Sequence, residues 1–509
     1  MQSRPIEISY KDYPKEPVGP DNLSLSFMKE SLFVPLELTG NTLRIVMADP
    51  EDESVADALK FAYDMQVDIC RGKAEDILEA IERLYGAGRQ SIENIIEEAG
   101  KDIYEISADG NADVDHLIDM ASEAPIIRLV NRLIFNAVEQ RASDIHFEPF
   151  ENELKVRYRI DGVLNEAESP PARLQAAIIS RVKIMSKLDI AERRIPQDGR
   201  IKLKIADKEI DFRVSTVPTL YGESLVMRIL DRENLILELD QLGFPEDILS
   251  AYHQLISQPY GMILVTGPTG SGKTSTLYTT LAKINSPEKK IIALEDPVEY
   301  QLRGVNQIQV NPKIGLTFAR GLRAIVRQDP DIILVGEIRD KETAEIAVQS
   351  ALTGHLLFST LHTNDAAGAV TRLLDMEVEN FLLASTLLGV LAQRLVRINC
   401  PHCSRALQPE AKLIRAMNLK PGEQENIPFT EGRGCEECRN TGFKGRMAIF
   451  EYVPVDEDIR KEIIAGSGAE KIRNTAVSKG AVMLREDGWR KVRQGLTTIP
   501  EVLRVTLDN

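Results

Sequence analysis

Short apolar runs separated by helical segments mark the centre of the chain. The clearest runs are residues 262–266, 291–294, 332–335 and 356–360. Apolar runs of roughly four to eight residues are typical of strands buried on both faces, and helices between such strands are typical of βαβ units. Residues 239–397 are therefore predicted to form a doubly wound α/β sheet.

Polar and apolar residues alternate in the segment before this sheet. Residues 154–160 and 200–214 show the two-residue period of strands with one buried face, whereas 126–139 and 173–188 show helical spacing. The apolar positions of the second hairpin are predicted to pair around a loop at 206–209: Ile201 with Val214, Leu203 with Phe212, and Ile205 with Ile210. Arg200 and Arg213 then share a polar face, which is either solvated or a phosphate contact.

The two ends of the chain show weaker patterns. Near the start, a strand at 42–48 and a helix at 74–84 predict a small mixed domain, and the acidic residues that follow predict a linker. Near the end, helices are predicted at 456–464, 469–479 and 483–494. The predicted domain boundaries are 1–90, 91–120 for the linker, 121–236, 237–397, 398–445, and 446–509 for a C-terminal helical segment.

A glycine-rich motif follows the first central strand. It reads Gly267-Pro268-Thr269-Gly270-Ser271-Gly272-Lys273-Thr274 and fits the phosphate-binding loop G-x-x-x-x-G-K-[ST]. Glycines let backbone N–H groups turn toward phosphate oxygens, Lys273 supplies a cation, and the Thr274 hydroxyl is a ligand for Mg²⁺. Because a strand precedes the motif and a helix is expected from about Gly272, we prefer this interpretation to a chance glycine-rich turn.

Acidic residues follow two other central strands, at the ends where ligands bind in such sheets. Glu295, Asp296 and Glu299 follow the second strand, and Glu337 follows the third. Gly336 takes the place of the Asp that usually ends a Walker B strand, so Glu337 is predicted to polarise the attacking water. Glu295 and Glu299 are candidates for a second base or for the water shell of the metal, whereas Asp296 also fits a helix N-cap.

Two histidines bracket the fourth central strand. His355 precedes it and His362 follows it. A neutral imidazole beside a γ-phosphate can form a hydrogen bond that depends on phosphate occupancy. Packing in the core is the alternative interpretation of both residues.

Four of the five cysteines form two C-x-x-C pairs. They are Cys400, Cys403, Cys435 and Cys438, and Cys70 stands apart. Each pair presents two thiolates to one tetrahedral ion, so the set predicts a structural Zn²⁺ site without an open position. Four reduced thiols without metal are the alternative.

Composition and charge exclude some classes of function. The formal net charge is −16, which opposes a partner bound through its phosphate backbone. The first 20 residues are polar and do not resemble a signal peptide. No apolar stretch approaches the roughly 20 residues of a membrane-spanning helix. We therefore expect an intracellular chain that binds no nucleic acid.

The motifs together resemble the GspE-type ATPases of bacterial type II secretion, within the superfamily that includes type IV pilus motors. The matching segments are SDIHFEP at 143–149, PQDGR at 196–200, the phosphate-binding loop, EDPVE at 295–299, VGEIRD at 335–340, residues 353–363 and both cysteine pairs. Residues 385–395 look more like the secretion branch than the pilus branch. The resemblance extends from about residue 126 to the C-terminus.

This resemblance implies a fold, an activity and partners. The fold is α/β multidomain: a RecA-like P-loop NTPase core, a preceding α+β (PAS-like) domain, a small N-terminal domain and a C-terminal zinc-binding helical region. The activity is Mg²⁺-dependent ATP hydrolysis that drives pseudopilus assembly, with Arg200 and Arg213 completing the site. The implied assembly is a homo-hexamer in the cytoplasm, held peripherally at the inner membrane by a platform protein that binds the N-terminal domain.

Three alternatives remain open from the sequence. A type IV pilus assembly ATPase would differ in partner and not in chemistry. A nucleic-acid motor on the same fold is opposed by the acidic balance. A nucleotide-gated scaffold without turnover is opposed by the presence of Lys273, Thr274 and Glu337.

Overall fold

A computed structural model of the chain describes residues 8, 10–14, 18–19, 25–50, 52–63, 65–85, 114–167, 169–205, 208–231, 238–417 and 427–506. The chain divides into two compact units, residues 1–231 and 232–509. Each unit is described by itself. None of the helices in the described ranges is long and apolar enough to span a membrane.

The first unit begins with a three-stranded sheet. Its strands are β1 (Phe33–Thr39), β2 (Thr42–Met47) and β3 (Gln66–Arg71), and β2 pairs antiparallel with β1 and parallel with β3. The accompanying helices are Leu25–Glu30, Glu53–Tyr63 and Ala74–Tyr85. The strand predicted at 42–48 and the helix predicted at 74–84 are both present, because their apolar residues enter one shared core.

Only the last part of the predicted linker lies within the described residues. Residues 91–113 lie outside the described residues. Residues 114–120, at the end of the predicted linker, instead belong to the helix Val114–Ser122, whose Leu117 and Ala121 are buried. The amphipathic spacing of this segment, and not its acidic charge, decides its structure.

A six-stranded antiparallel sheet completes the first unit, in the order β6-β5-β4-β9-β8-β7. Its strands are β4 (Asp144–Pro149), β5 (Leu154–Ile160), β6 (Val163–Glu166), β7 (Gln197–Ile205), β8 (Lys208–Thr219) and β9 (Gly222–Asp231). The helices Ala124–Glu139 and Gln175–Ser186 share one core with the apolar positions of these strands. This alternation is the one that the sequence predicts for an α+β domain.

The register of the second hairpin differs from the prediction. Ile201 faces Phe212 and Leu203 faces Ile210, two residues away from the predicted partners. The strands extend to Ile205 and from Lys208, so the connection is shorter than the predicted loop at 206–209. A shift of two residues keeps every side chain on its predicted face, and Arg200 lies directly opposite Arg213.

The second unit is organised around a seven-stranded sheet in the order β12-β11-β13-β14-β10-β15-β18. All neighbours are parallel except β15 and β18. The strands are β10 (Gly261–Thr266), β11 (Ile291–Glu295), β12 (Val305–Gln309), β13 (Ile332–Val335), β14 (Leu356–Leu361), β15 (Leu387–Asn399) and β18 (Phe443–Pro454). Successive strand residues such as Met262 and Ile263 enter two different cores, as expected for a doubly wound sheet.

Helices cover both faces of this sheet. They are Glu246–Ile256, Lys273–Ile284, Phe318–Ile325, Lys341–Leu352, Ala366–Asp375 and Asn380–Thr386. The four strands predicted from apolar runs are all present, whereas β12, β15 and β18 were not predicted. The prediction of a helical segment from residue 446 is wrong up to residue 454, because those residues pair with β15 as the edge strand β18.

The end of the chain carries a small hairpin and several helices. The hairpin pairs β16 (Ser404–Ala406) with β17 (Thr430–Gly432), and the helix Ala411–Ala416 follows β16. The helices Glu457–Ile464, Ala469–Ser478 and Leu484–Arg493 agree with the predicted ranges, and the helix Ile499–Thr506, which was not predicted, follows them. Trp489 is buried with apolar residues of the sheet, so these helices belong to the core of the second unit.

Candidate nucleotide site and four-cysteine cluster

The phosphate-binding motif forms the loop between β10 and the helix Lys273–Ile284. Gly272 precedes the helix with a φ of 87°, in the left-handed region that favours glycine. A Cβ atom on Gly267 would lie 2.5 Å from the carbonyl oxygen of Gln393, so this position has no room for a side chain. The loop and the start of the helix lie where the sequence predicts them.

The Lys273 amine is held over the loop. Its Nζ donates to the carbonyl oxygens of Gly267 at 2.6 Å and Pro268 at 3.1 Å. Burial lowers the pKa of Lys273 to about 8, and the Glu337 carboxylate opposes that shift. Thr274 is exposed beside it. A cation fixed at the helix N-terminus next to an accessible hydroxyl is the arrangement that binds phosphates and their divalent ion.

Glu337 lies just past β13, at the same edge of the sheet. Its carboxylate pairs with the Arg339 guanidinium and lies 3.1 Å from Nε2 of His362. The Glu337 side chain is 14% exposed. A Cβ atom on Gly336 would lie 3.3 Å from the Leu294 carbonyl oxygen, so β11 leaves little room for a side chain there. The structure therefore brings Glu337 and His362 together. Close packing against β11 explains why position 336 is a glycine.

Glu295 ends β11 in a more enclosed position. It is buried, accepts a hydrogen bond from the Tyr278 hydroxyl, and accepts a second from Gln307 Nε2 at 3.1 Å. Burial raises the pKa of Glu295, against the effect of these two donors. The Glu299 amide donates to the same Tyr278 hydroxyl at 3.3 Å, and Asp296 is exposed. Both oxygens of Glu295 are thus engaged by protein donors, unlike a base that must reach water.

His355 lies away from this edge. It precedes β14, and its backbone oxygen accepts from Gly261 at the start of β10. Its Nδ1 lies 2.8 Å from the Ser350 carbonyl oxygen. The phosphate-binding loop follows the other end of β10, roughly 17 Å away at the rise of a strand. Within this chain the structure therefore brings His362 to the site and does not bring His355.

Sequence analysis missed four buried or half-buried polar residues at the site: Tyr278, Gln307, Gln393 and Arg394. Gln393 and Arg394 interrupt the buried run of β15, and a polar pair inside an apolar run is the signal that would have found them. Arg394 donates through Nη2 to the Asn364 carbonyl oxygen at 2.9 Å. Tyr278 and Gln307 give no comparable signal, because only the folded sheet brings them to Glu295.

The predicted arginines lie in the first unit. Arg200 on β7 faces Arg213 on β8, and Arg213 faces Arg228 on β9. Nε of Arg228 donates to Asp144 Oδ1 at 2.9 Å. The structure therefore adds Arg228, which the sequence did not single out, to a row of three neighbouring arginines on the polar face of the sheet.

The four paired cysteines converge at the end of β15. All four sulfur atoms lie within 4.8 Å of one another. Three sulfur pairs, Cys400–Cys435, Cys403–Cys438 and Cys435–Cys438, are 3.7 to 3.9 Å apart. A tetrahedral zinc with Zn–S bonds of about 2.3 Å needs a sulfur separation of about 3.8 Å.

The surroundings of the cluster act differently on two of its thiols. Burial raises the pKa of Cys438, but the N–H groups of Cys435 and Gly442 donate to its sulfur, and the net effect lowers that pKa to about 7. Burial and the neighbouring thiols raise the pKa of Cys403 to about 12. Cys70 is buried in β3 and takes no part. The donor set, spacing and charge therefore fit Zn²⁺.

Fold and site together define a P-loop nucleotide-binding protein with a doubly wound sheet and a four-cysteine cluster. The chain belongs to the type II/IV secretion system protein family, whose profile matches residues 119–504. The profile of the MshEN domain matches residues 5–91. The family predicted from the motifs is therefore confirmed, with the fold of a secretion ATPase preceded by an MshEN domain.

Individual relatives agree with this assignment. Type II secretion system protein E of Xanthomonas campestris pv. campestris is 51% identical over 488 residues, which cover 96% of this chain and 85% of the relative. Type IV pilus assembly ATPase PilB of Myxococcus xanthus is 45% identical over 499 residues, which cover 97% of this chain and 88% of the relative. The structure of the pilus retraction motor PilT with bound ADP is 26% identical, with a TM-score of 0.50 over 73% of this chain and 95% of PilT.

Proposed function

We propose that this chain is a Mg²⁺-dependent ATPase that drives pseudopilus assembly in type II protein secretion. The observation that carries the proposal is the Lys273 amine over the phosphate-binding loop, with Glu337 just past β13 at the same edge of the sheet. The extensive similarity to type II secretion system protein E supports the biological role.

The residues of the loop divide the work of binding. Backbone N–H groups from Gly267 to Thr274 and the Lys273 amine would hold the phosphates, and the Thr274 hydroxyl would ligate Mg²⁺. The metal, when bound, neutralises charge on the phosphates. The Lys273 amine donates to the Gly267 and Pro268 carbonyl oxygens, so it already lies over the loop.

Glu337 would accept the proton of the attacking water. Its pairs with Arg339 and His362 fix the carboxylate at the sheet edge while leaving part of it exposed. Glu295 and Glu299 would support the site through Tyr278 and not as bases. Geometry and access therefore favour Glu337 as the general base.

Assembly and location extend the proposal. Arg200 and Arg213 would complete the nucleotide site within a homo-hexamer. The domain that carries these arginines would have a PAS-like fold. Their adjacent position on one polar face supports a shared anionic ligand. The N-terminal domain would bind a platform protein and hold the cytoplasmic chain at the inner membrane, and the cysteine cluster would hold Zn²⁺.

A type IV pilus assembly ATPase is the second candidate. The similarity to PilB over 97% of this chain favours it, although the identity is 45% against 51% for the type II relative. Complementation separates the two. Expression in a bacterium lacking its type II ATPase should restore secretion, whereas restoration of pili only, in a strain lacking PilB, would support the second candidate.

Phosphate release from ATP tests the chemistry. Wild type should hydrolyse ATP with Mg²⁺ and stop when the metal is chelated, and Lys273→Ala should abolish turnover because the phosphate cation is lost. Lys283→Ala, at the far end of the same helix, removes a half-exposed amine and should leave turnover unchanged. Turnover by Lys273→Ala at the wild-type rate would contradict the proposed site.

A further inference from the structure

The side chain of Gln393 connects the phosphate-binding loop to the helix that follows it. Gln393 is 1% exposed, on strand β15. Its Nε2 donates to the Ser271 carbonyl oxygen at 2.8 Å, and its Oε1 accepts from Thr276 Oγ1 at 2.7 Å. One carboxamide therefore satisfies an acceptor in the loop and a donor in the first turn of the helix.

Gln393 also forms the wall against which the loop packs. A Cβ atom on Gly272 would lie 2.7 Å from Gln393 Nε2, and one on Gly267 would lie 2.5 Å from the Gln393 carbonyl oxygen. Two glycines of the motif are thus required by contact with this residue as well as by any phosphate. Because β15 pairs with β10 up to Thr266, the wall is continuous with the sheet.

We propose that Gln393 is a positioning residue that holds the phosphate-binding loop in the conformation that receives the phosphates. The contact turns the Ser271 carbonyl toward β15, so that this oxygen does not face the phosphate oxygens that the loop receives. A buried amide with both ends bonded holds such a geometry because either end left unpaired would carry the cost of desolvation. The inference rests on the proposed nucleotide site and adds a residue to it.

The test compares binding with turnover in Gln393→Met, which keeps the volume and removes both hydrogen bonds. The affinities for ATP and for ADP should each fall about tenfold, the scale expected for lost buried hydrogen bonds. The kcat at saturating ATP should change far less, because Gln393 does not touch the reacting groups. Isothermal titration with ADP, steady-state kinetics and melting without nucleotide give the three readouts.

Asn399→Leu is the matched control. Asn399 is a buried amide on the same strand, but it donates to the Thr430 and Gly495 carbonyl oxygens, outside the loop. It should lower the melting temperature without changing the ADP affinity. Equal loss of ADP affinity in Asn399→Leu would show that any weakening of β15 has this effect and would overturn the proposal, as would wild-type affinity in Gln393→Met.

Thr276→Val covers the case in which Gln393→Met does not fold. It removes one of the two contacts, and its ADP affinity should fall by about half as many powers of ten as in Gln393→Met. Wild-type affinity in Thr276→Val would count against the proposal. If the wild-type chain binds neither ATP nor ADP, the proposed function fails, and that result is distinct from a wild type that binds while the variants bind equally well.

Discussion

The phosphate-binding loop packs against strand β15 and the four-cysteine cluster begins at the end of that strand, but they suit ligands of different kinds. The loop leaves Thr274 exposed, and two of its carbonyl oxygens accept hydrogen bonds from the Lys273 amine. The cluster brings four sulfur atoms within 4.8 Å of one another, with no open position for a fifth group. An exchangeable ligand needs the first arrangement and a resident ion needs the second.

The two regions also differ in what holds them together. The loop is held by hydrogen bonds of the Gln393 and Lys273 side chains to its backbone carbonyl oxygens. The cysteines come from two segments 35 residues apart, and the described residues between these segments include β16, β17 and the helix Ala411–Ala416. Such a region has little apolar core of its own, so a bound ion supplies much of its stability. Loss of the metal should therefore destabilise mainly this region.

The largest contrast is expected from the cysteines. Cys435→Ser should lose about one zinc per chain and make residues 400–440 sensitive to protease, because a three-thiolate site holds the ion poorly. ATP affinity should stay within about threefold, because no cysteine contacts the loop. Metal analysis, limited proteolysis and ATP titration measure the three effects.

Cys70→Ser controls for the loss of a thiol elsewhere. Cys70 is buried outside the cluster, so this variant should keep the zinc while losing some stability. Freshly purified wild-type protein that contains no zinc would contradict the proposed zinc site. A Cys435→Ser protein that no longer binds ATP would mean that the two regions are coupled and not independent.

A smaller effect is expected from the arginine row. Arg213→Ala should lower turnover by about a hundredfold or more and change ATP affinity little, because an arginine near the γ-phosphate acts mainly in the transition state. Arg157→Ala is the comparison, since Arg157 pairs with Glu148 on a different hairpin at 2.7 Å.

Turnover should also rise with protein concentration, because in the proposed hexamer the site is complete only when subunits meet. Measuring turnover together with oligomeric state across a dilution series checks this. A fully active dilute monomer, or normal turnover by Arg213→Ala, would contradict the role given to these arginines.

The smallest effect is a pH dependence that only the loop should show. Burial lowers the Lys273 pKa from 10.5 to about 8, so the free protein loses this proton as pH rises through about 8. Bound phosphates keep the amine charged, so ATP affinity should fall about fivefold between pH 8 and pH 9. Below pH 8 the buried charge costs stability, and this cost is relieved between pH 8 and 10.5.

Calorimetry at pH 8.5 in buffers with different ionisation enthalpies measures the linked proton. Proton uptake on ATP binding is the expected result. Binding without proton uptake would mean that Lys273 stays charged in the free protein. Zinc content should not change over the same range of pH.

Local patterns predicted most of the catalytic edge. The phosphate-binding motif, Glu337 and the four core strands follow from spacing that a short window contains, and each lies where it was predicted. Three of the C-terminal helices were predicted for the same reason, because their apolar stripes repeat at helical spacing. Each C-x-x-C pair is also a local pattern, and the two pairs lie together as predicted.

Long-range pairing explains what was missed. The sequence of β18 did not predict a strand, and its pairing with β15 shows that it is one. Gln393 becomes part of the site only because β15 pairs with β10. The hairpin register depended on a connection whose length the alternation does not fix. His355 and His362 look equivalent in the sequence, and only the direction of β14 separates them.

ATP binding and turnover measured side by side in Glu337→Gln test the central claim most directly. The amide cannot accept a proton, so turnover should fall at least about a hundredfold while ATP affinity stays near that of the wild type. Glu342→Gln, an exposed acid on the next helix, should behave as wild type in both measurements. Wild-type turnover by Glu337→Gln would contradict the assignment of Glu337 as the residue that activates water.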